Sequence, residues 1–208
     1  YSMLTESKIN TNYLNFIKYL EKYNCYSDEM IKEIGEKIKL APYTMQKDWG
    51  GAEPGGMIDV TLNILCKIGV EINNTFKNNE GNKINHPFLA VNQEMLMRVL
   101  LLLNIAKAEM FVENSSEWHK KNLGKMYEFA ENKTKLNLGQ RSLFLCQKYG
   151  IKLEEEEFEA FLSIDDDNEK GEMYQTPLYS IVKSAKMFTM VELRKKYLST
   201  VETNVKEI

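Results

Sequence analysis

Asn92-Gln93-Glu94-Met95-Leu96-Met97-Arg98-Val99-Leu100-Leu101-Leu102-Leu103-Asn104-Ile105 is the stretch that decides the fold. Apolar residues cover almost every side of a helical wheel over residues 95–105. A helix that is apolar all round lies at the centre of a fold. Arg98 and Asn104 interrupt the run, and it is too short to span a bilayer. Asn92 is placed to cap a helix predicted to continue to about Phe111.

Outward from this centre, helical spacing recurs along the chain. Ile9, Tyr13, Phe16, Ile17 and Leu20 predict a helix over about 5–23. Ser27, followed by Asp28 and Glu29, caps a shorter one through Met30, Ile31, Ile34 and Ile38. These two form an N-terminal helical pair over residues 1–40. Residues 41–56 read as a loop, because Gly50, Gly51, Pro54, Gly55 and Gly56 crowd into it. A third helix is expected over 57–76, with Ile58, Leu62, Leu65 and Cys66 on one face. Ser115 or Ser116 caps a fifth through Ala130. A sixth covers 138–149, with Gly150 as its C-terminal cap. The seventh opens at Leu153 with Glu154 to Glu157 against its positive end. Thr176 and Pro177 open the eighth, with Leu178, Ile181, Val182, Ala185 and Phe188 as its buried stripe. No strand is predicted. The expectation is an all-α fold of about eight helices, a single domain over 1–208 with its main core over 41–200.

The 208 residues are 43% hydrophobic and 27% charged, an ordinary globular balance that can build a sizeable core. The net charge of -3 gives no broad nucleic-acid footprint. Lysine outnumbers arginine 24 to 3, which counts against dedicated bidentate phosphate recognition. The three cysteines have no metal-ligand spacing and no disulfide framework, so a reducing, cytoplasmic setting is expected. The sequons at Asn73, Asn114 and Asn132 are read as chance in an Asn-rich chain.

Few residues suggest chemistry. His86 and His119 have no ligand partner at helical spacing and read as surface residues. Asp165-Asp166-Asp167-Asn168 opens like a calcium loop, but the glycine and final glutamate that such a loop needs are replaced by Lys170 and Thr176. Ser142 has no nucleophile-elbow pattern. Trp49, beside Gly50 and Gly51, either covers a pocket or plugs the core, and the plug is favoured.

Three segments together resemble the HD-domain metal phosphohydrolases. They are Gly55-Gly56-Met57-Ile58-Asp59-Val60-Thr61-Leu62, Leu102-Leu103-Asn104-Ile105-Ala106-Lys107, and Thr176 to Lys186. The segments Gly139-Gln140-Arg141-Ser142-Leu143 and Leu153 to Glu157 also fit. The resemblance spans roughly 41–198 and implies a helical HD-like core. In that register Val60 stands where the family has a metal-binding His, and Leu103 and Asn104 replace its His-Asp pair. Ala106 replaces Gly, Lys107 is retained, and Lys186 takes the place of the final Asp. Val and Leu carry no lone pairs for a dication, and Lys186 brings a like charge. Without the metal there is no activated water.

The resemblance therefore implies a pseudoenzyme with no catalytic residue, no metal and no cofactor. The leading expectation is an interaction or structural module with a protein partner, as a homo-oligomer or with another chain, and no membrane partner. The second is a small-anion or nucleotide site at the vestigial pocket, using Lys107, Lys186 and Trp49. The third is a metal-dependent phosphohydrolase with unrecognised ligands. The resemblance, the Lys/Asn bias and the small size together point to a bacteriophage or gut-bacterial mobile-element source, with a cytoplasmic location, or a virion or host-cytoplasm one if the source is a phage.

Overall fold

The computed structural model describes residues 3–78, 91–131, 134–165 and 175–206, and side chains over 3–71, 91–131, 134–165 and 175–199. The described residues are mostly helical. They run α1 (Glu6–Lys22), α2 (Asp28–Leu40), a 3-10 turn (Lys47–Trp49), α3 (Gly56–Asn78), α4 (Gln93–Leu102), α5 (Lys107–Met110), β1 (Phe111–Glu113), α6 (Glu117–Leu123), β2 (Tyr127–Phe129), α7 (Leu138–Lys148), α8 (Glu155–Leu162) and α9 (Pro177–Lys206). Eight of these helices have seven residues or more, and α5 is a single turn. None is long and apolar enough to cross a membrane.

The caps read from the sequence are in place: Ser27 accepts from the Met30 amide, Asn92 from Met95 and Thr176 from Tyr179. Thr5, not singled out as a cap, accepts from the Lys8 amide. Each side-chain oxygen satisfies an amide that has no partner inside the helix. Helix α4 is the centre: Leu96, Val99, Leu101 and Leu102 are essentially inaccessible. Around it pack α1, α3, α8 and α9, through Phe16, Leu20, Ile58, Leu65, Phe161, Leu178 and Val182.

Two expectations about the middle of the chain are corrected. The central helix does not reach Phe111 but ends at Leu102. The Ser142 hydroxyl, from α7, accepts from the Ala106 amide and donates to the Leu103 carbonyl. These tertiary bonds replace helical ones, and the chain turns before the short α5. The expected fifth helix also stops early. Ser116 caps α6, but Gly124 at φ 62 closes it, in the left-handed conformation that glycine adopts without strain.

The residues that follow form a strand, which the helical reading excluded. Phe111–Glu113 and Tyr127–Phe129 pair antiparallel, with Phe111 opposite Phe129 and their rings edge to face at 5.6 Å. Aromatic and β-branched residues favour such a ladder once a partner strand is beside them.

Other faces also differ. Cys66 is exposed, whereas Cys25 and Cys146 are buried. Burial pushes the Cys25 thiol up to about 12 and raises that of Cys146. Phe188 is 73% exposed and does not belong to the buried stripe of α9. That stripe consists of Leu178, Tyr179 and Val182, with Ile181 and Ala185 partly buried. Asn114, in one of the sequons, is buried.

Candidate functional site

Of the positions singled out by the resemblance, Val60, Leu103, Asn104 and Lys107 are buried and Lys186 is partly buried. Val60 is buried on α3, and Leu103 and Asn104 are buried in the turn after α4. Neither Val60 nor Leu103 can hold an ion, and both contribute apolar surface. The Asn104 amide is different: its Oδ1 is buried with no hydrogen-bond partner. A buried, unpaired amide oxygen costs about 1–3 kcal/mol.

Lys107 begins α5 and is buried at 6% exposure. Its ammonium donates a 2.6 Å hydrogen bond to the Tyr43 carbonyl and lies 3.6 Å from the centroid of the Tyr43 ring. The ring face supplies a partner for the charge. Burial lowers the pKa to about 7, and the nearby Lys186 charge pushes the same way. Tyr43 is itself fixed, because its amide donates to the Gly51 carbonyl. Gly51 has φ +72, and a Cβ there would meet Tyr43 Cβ at 3.0 Å and Val60 Cγ2 at 3.6 Å. Lys107 therefore anchors the glycine-rich loop to the core.

Lys186, on α9, donates to the Ile164 carbonyl at the end of α8. Next to it, Asp165 accepts from the Leu138 and Gly139 amides at 3.1 and 2.6 Å. Burial raises the Asp165 carboxyl, opposed by those amides and by Lys186. Asp165, the first residue of the acidic stretch, thus closes the start of α7. The remainder of the calcium-like stretch, and His86, lie outside the described residues. Among the described residues, no three His, Cys, Asp or Glu side chains gather as a metal site.

A cleft of about 340 Å³ opens between α3 and α9, and Val60, Gly51, Asp59, Thr189, Lys67 and Glu192 are among its lining residues. Lys67 and Glu192 form an ion pair in it. Of the positions singled out by the resemblance, only Val60 lines this cleft; Lys107 and Lys186 are tied to backbone carbonyls instead. Near neutrality Lys107 is partly the free amine, the form that acts as a nucleophile or base. The same ammonium is buried against Tyr43.

Trp49 is 47% exposed, so it is not a plug in the core. The turn that carries it packs on α9, where Arg194 bonds the Asp48 carbonyl and carboxylate.

The sequence reading passed over two interactions. Arg98 reaches across to α8 and forms a two-pronged ion pair with Glu157, with 2.7 Å from Nε to Oε1. Glu157 Oε2 also accepts from the Glu154 amide at 2.8 Å, completing a capping box. The signal was present: an arginine in an apolar helix needs a partner. The second was Tyr43, which carries no pattern that marks it as a lysine's partner.

No family model, curated protein or solved structure matches this chain.

Proposed function

We propose that this chain is a non-catalytic interaction module, built on an HD-like scaffold whose metal-ligand positions have been taken over by core packing. The observation that carries this reading is Lys186. Where the resembled pattern has a carboxylate for a dication, this chain has an ammonium bonded to the Ile164 carbonyl. That fixed cation also bears on Lys107. Val60 and Leu103, where a metal site would need ligands, are buried apolar side chains. Such a centre stabilises a fold and offers neither a Lewis acid nor an activated water.

The surface supports a binding role for a protein partner. On α9, Met187, Phe188 and Val191 are 62%, 73% and 66% exposed and share one side of the helix. Clustered apolar residues on a surface mark sites of association. A second copy of the chain satisfies such a face as well as a different protein does.

The test joins two measurements on the purified protein. Elemental mass spectrometry and a phosphohydrolase screen with manganese, magnesium or zinc should give neither stoichiometric metal nor turnover. Light scattering should show a self-associated species that Phe188→Glu with Val191→Glu converts to monomer, or a monomer whose partner capture that double variant abolishes. Metal-dependent turnover by the wild-type protein refutes the reading.

A further inference from the structure

One face of α1 carries Lys8, Lys18 and Lys22, none of which forms an ion pair among the described residues. Lys8, Asn12, Asn15, Lys18, Tyr19 and Lys22 recur at steps of three and four residues, or lie beside such a step, and so share one side of the helix. Glu6 projects to the opposite side at about 100° per residue, whereas Glu21, three residues from Lys18, flanks the edge of this face. The face borders a groove of about 420 Å³ against α3, where Asp59, Leu62 and Asn63 complete the wall.

Asp59 is the acid in that lining, and both its oxygens are engaged. Asn12 Nδ2 donates to Oδ1 at 2.9 Å, and Asn63 Nδ2 to Oδ2 at 3.4 Å. None of the ion pairs among the described residues involves Lys8, Lys18 or Lys22. In a chain of net charge -3, an unneutralised cationic groove attracts anions locally.

The groove is also the wrong shape for a single small ion. Lys8 and Lys22 lie 14 residues apart on one helix, about 21 Å along its axis. Between them Tyr19 lines the groove, and its ring stacks with that of Tyr23 at 6.3 Å and 4°. Lys22 lies 5.3 Å from the Tyr23 centroid. A cationic track with an aromatic ring beside it is the chemistry that holds single-stranded nucleic acid, with phosphates on the lysines and a base against the ring. Asn15 and Asn63 add amides that donate to phosphate or base oxygens.

We propose that the α1–α3 groove binds a short segment of single-stranded nucleic acid through Lys8, Lys18 and Lys22, with Tyr19 as a stacking surface. The proposal is independent of the vestigial pocket, because it uses none of its residues.

The experiment is fluorescence anisotropy of a labelled twelve-nucleotide oligothymidine and its oligouridine counterpart, titrated with the full chain at low and moderate salt. Binding should weaken with salt, with a log–log slope of about -2 for three contacts on a single strand. Lys8→Ala/Lys18→Ala/Lys22→Ala should lower affinity at least tenfold and flatten that slope. Tyr19→Ala should lower affinity with the slope unchanged. Lys37→Ala/Lys121→Ala/Lys195→Ala, three exposed lysines elsewhere, should bind as the wild type does. Far-ultraviolet circular dichroism and melting should be the same for the wild type and both lysine variants, since the altered lysines are exposed, and circular dichroism should show that Tyr19→Ala, which loses a partly buried ring, is still folded. Absence of binding by the wild type overturns the proposal. So does equal loss in the control variant, which reports general charge alone. Competition by a free nucleoside triphosphate at the oligomer's own affinity assigns the groove to a mononucleotide and overturns the chain occupant.

Discussion

The Lys107 ammonium sits 3.6 Å from the centre of the Tyr43 ring and donates to the carbonyl of that same residue. Tyr43 thus provides the two closest partners of a buried cation, with the Phe111 ring farther off at 5.9 Å, and no carboxylate is paired with it among the described residues. The arrangement has a defined pH signature. The unfolded chain keeps this proton to its ordinary value of 10.5, whereas the folded chain releases it near 7. Between those values the unfolded state binds more protons, so stability rises with pH. It is lost as pH falls towards 7. Lys107→Met removes the effect. The wild-type stability minus that of the variant should grow by about 1 kcal/mol between pH 7.5 and 8.5. Cys25 and Cys146 act in the opposite sense near pH 9, but both proteins contain them. Urea midpoints at each pH make the comparison, and a flat difference would show that Lys107 keeps its charge at no cost.

Ser142 holds the turn that ends the central helix. Its hydroxyl accepts from Ala106 at 3.2 Å and donates to Leu103 at 2.8 Å, wholly buried. Ser142→Ala strands both backbone groups and should cost about 1–3 kcal/mol. Thermal denaturation reads the loss, and an unaltered melting point would mean that the helix ends there for another reason.

Glu157 is fully buried and depends on Arg98 for its charge balance. Removing one partner of such a pair leaves the other uncompensated. Glu157→Ala should therefore cost about 3–5 kcal/mol. Glu157→Gln keeps an acceptor for the Glu154 amide and should cost less. Chemical denaturation of both variants gives the order, and the reverse order would exclude the ion pair as the dominant contribution.

Gly139 marks the closest approach between α7 and the end of α8. A Cβ there would meet the Phe161 carbonyl at 2.2 Å and the Asp165 carboxylate at 2.8 Å. The obstacle is backbone and cannot rotate aside, so Gly139→Ala should cost at least about 2 kcal/mol. Gly69 has open space around it, and Gly69→Ala in mid-helix should gain about 0.5–1 kcal/mol. Comparable losses at the two positions would contradict the packing.

Phe188 and Val182 lie on the same helix and test how far periodicity reads burial. Val182 is inaccessible, whereas Phe188 is 73% exposed. Val182→Ala should cost about 1–3 kcal/mol. Phe188→Ser should stay within about 0.5 kcal/mol of wild type. Melting curves on both proteins decide it, and a large loss at Phe188 would place that ring in a core.

The sequence by itself determined the helices and their starts. Ser27, Asn92, Ser116 and Thr176 announce them because a cap is a contact across three residues, and local order is enough to place it. The central position of residues 96–102 was equally legible, since a helix apolar on every side has nowhere else to go. Tertiary structure alone decided where α4 breaks, that residues 111–113 and 127–129 pair as strands, and that Phe188 faces outward. It also decided the centre of the candidate site. Lys107 finds Tyr43 from 64 residues away, Lys186 finds Ile164 from 22 and Arg98 finds Glu157 from 59. Periodicity reports which side of an element is apolar, whereas a buried charge is settled by whichever group the packed elements bring to it.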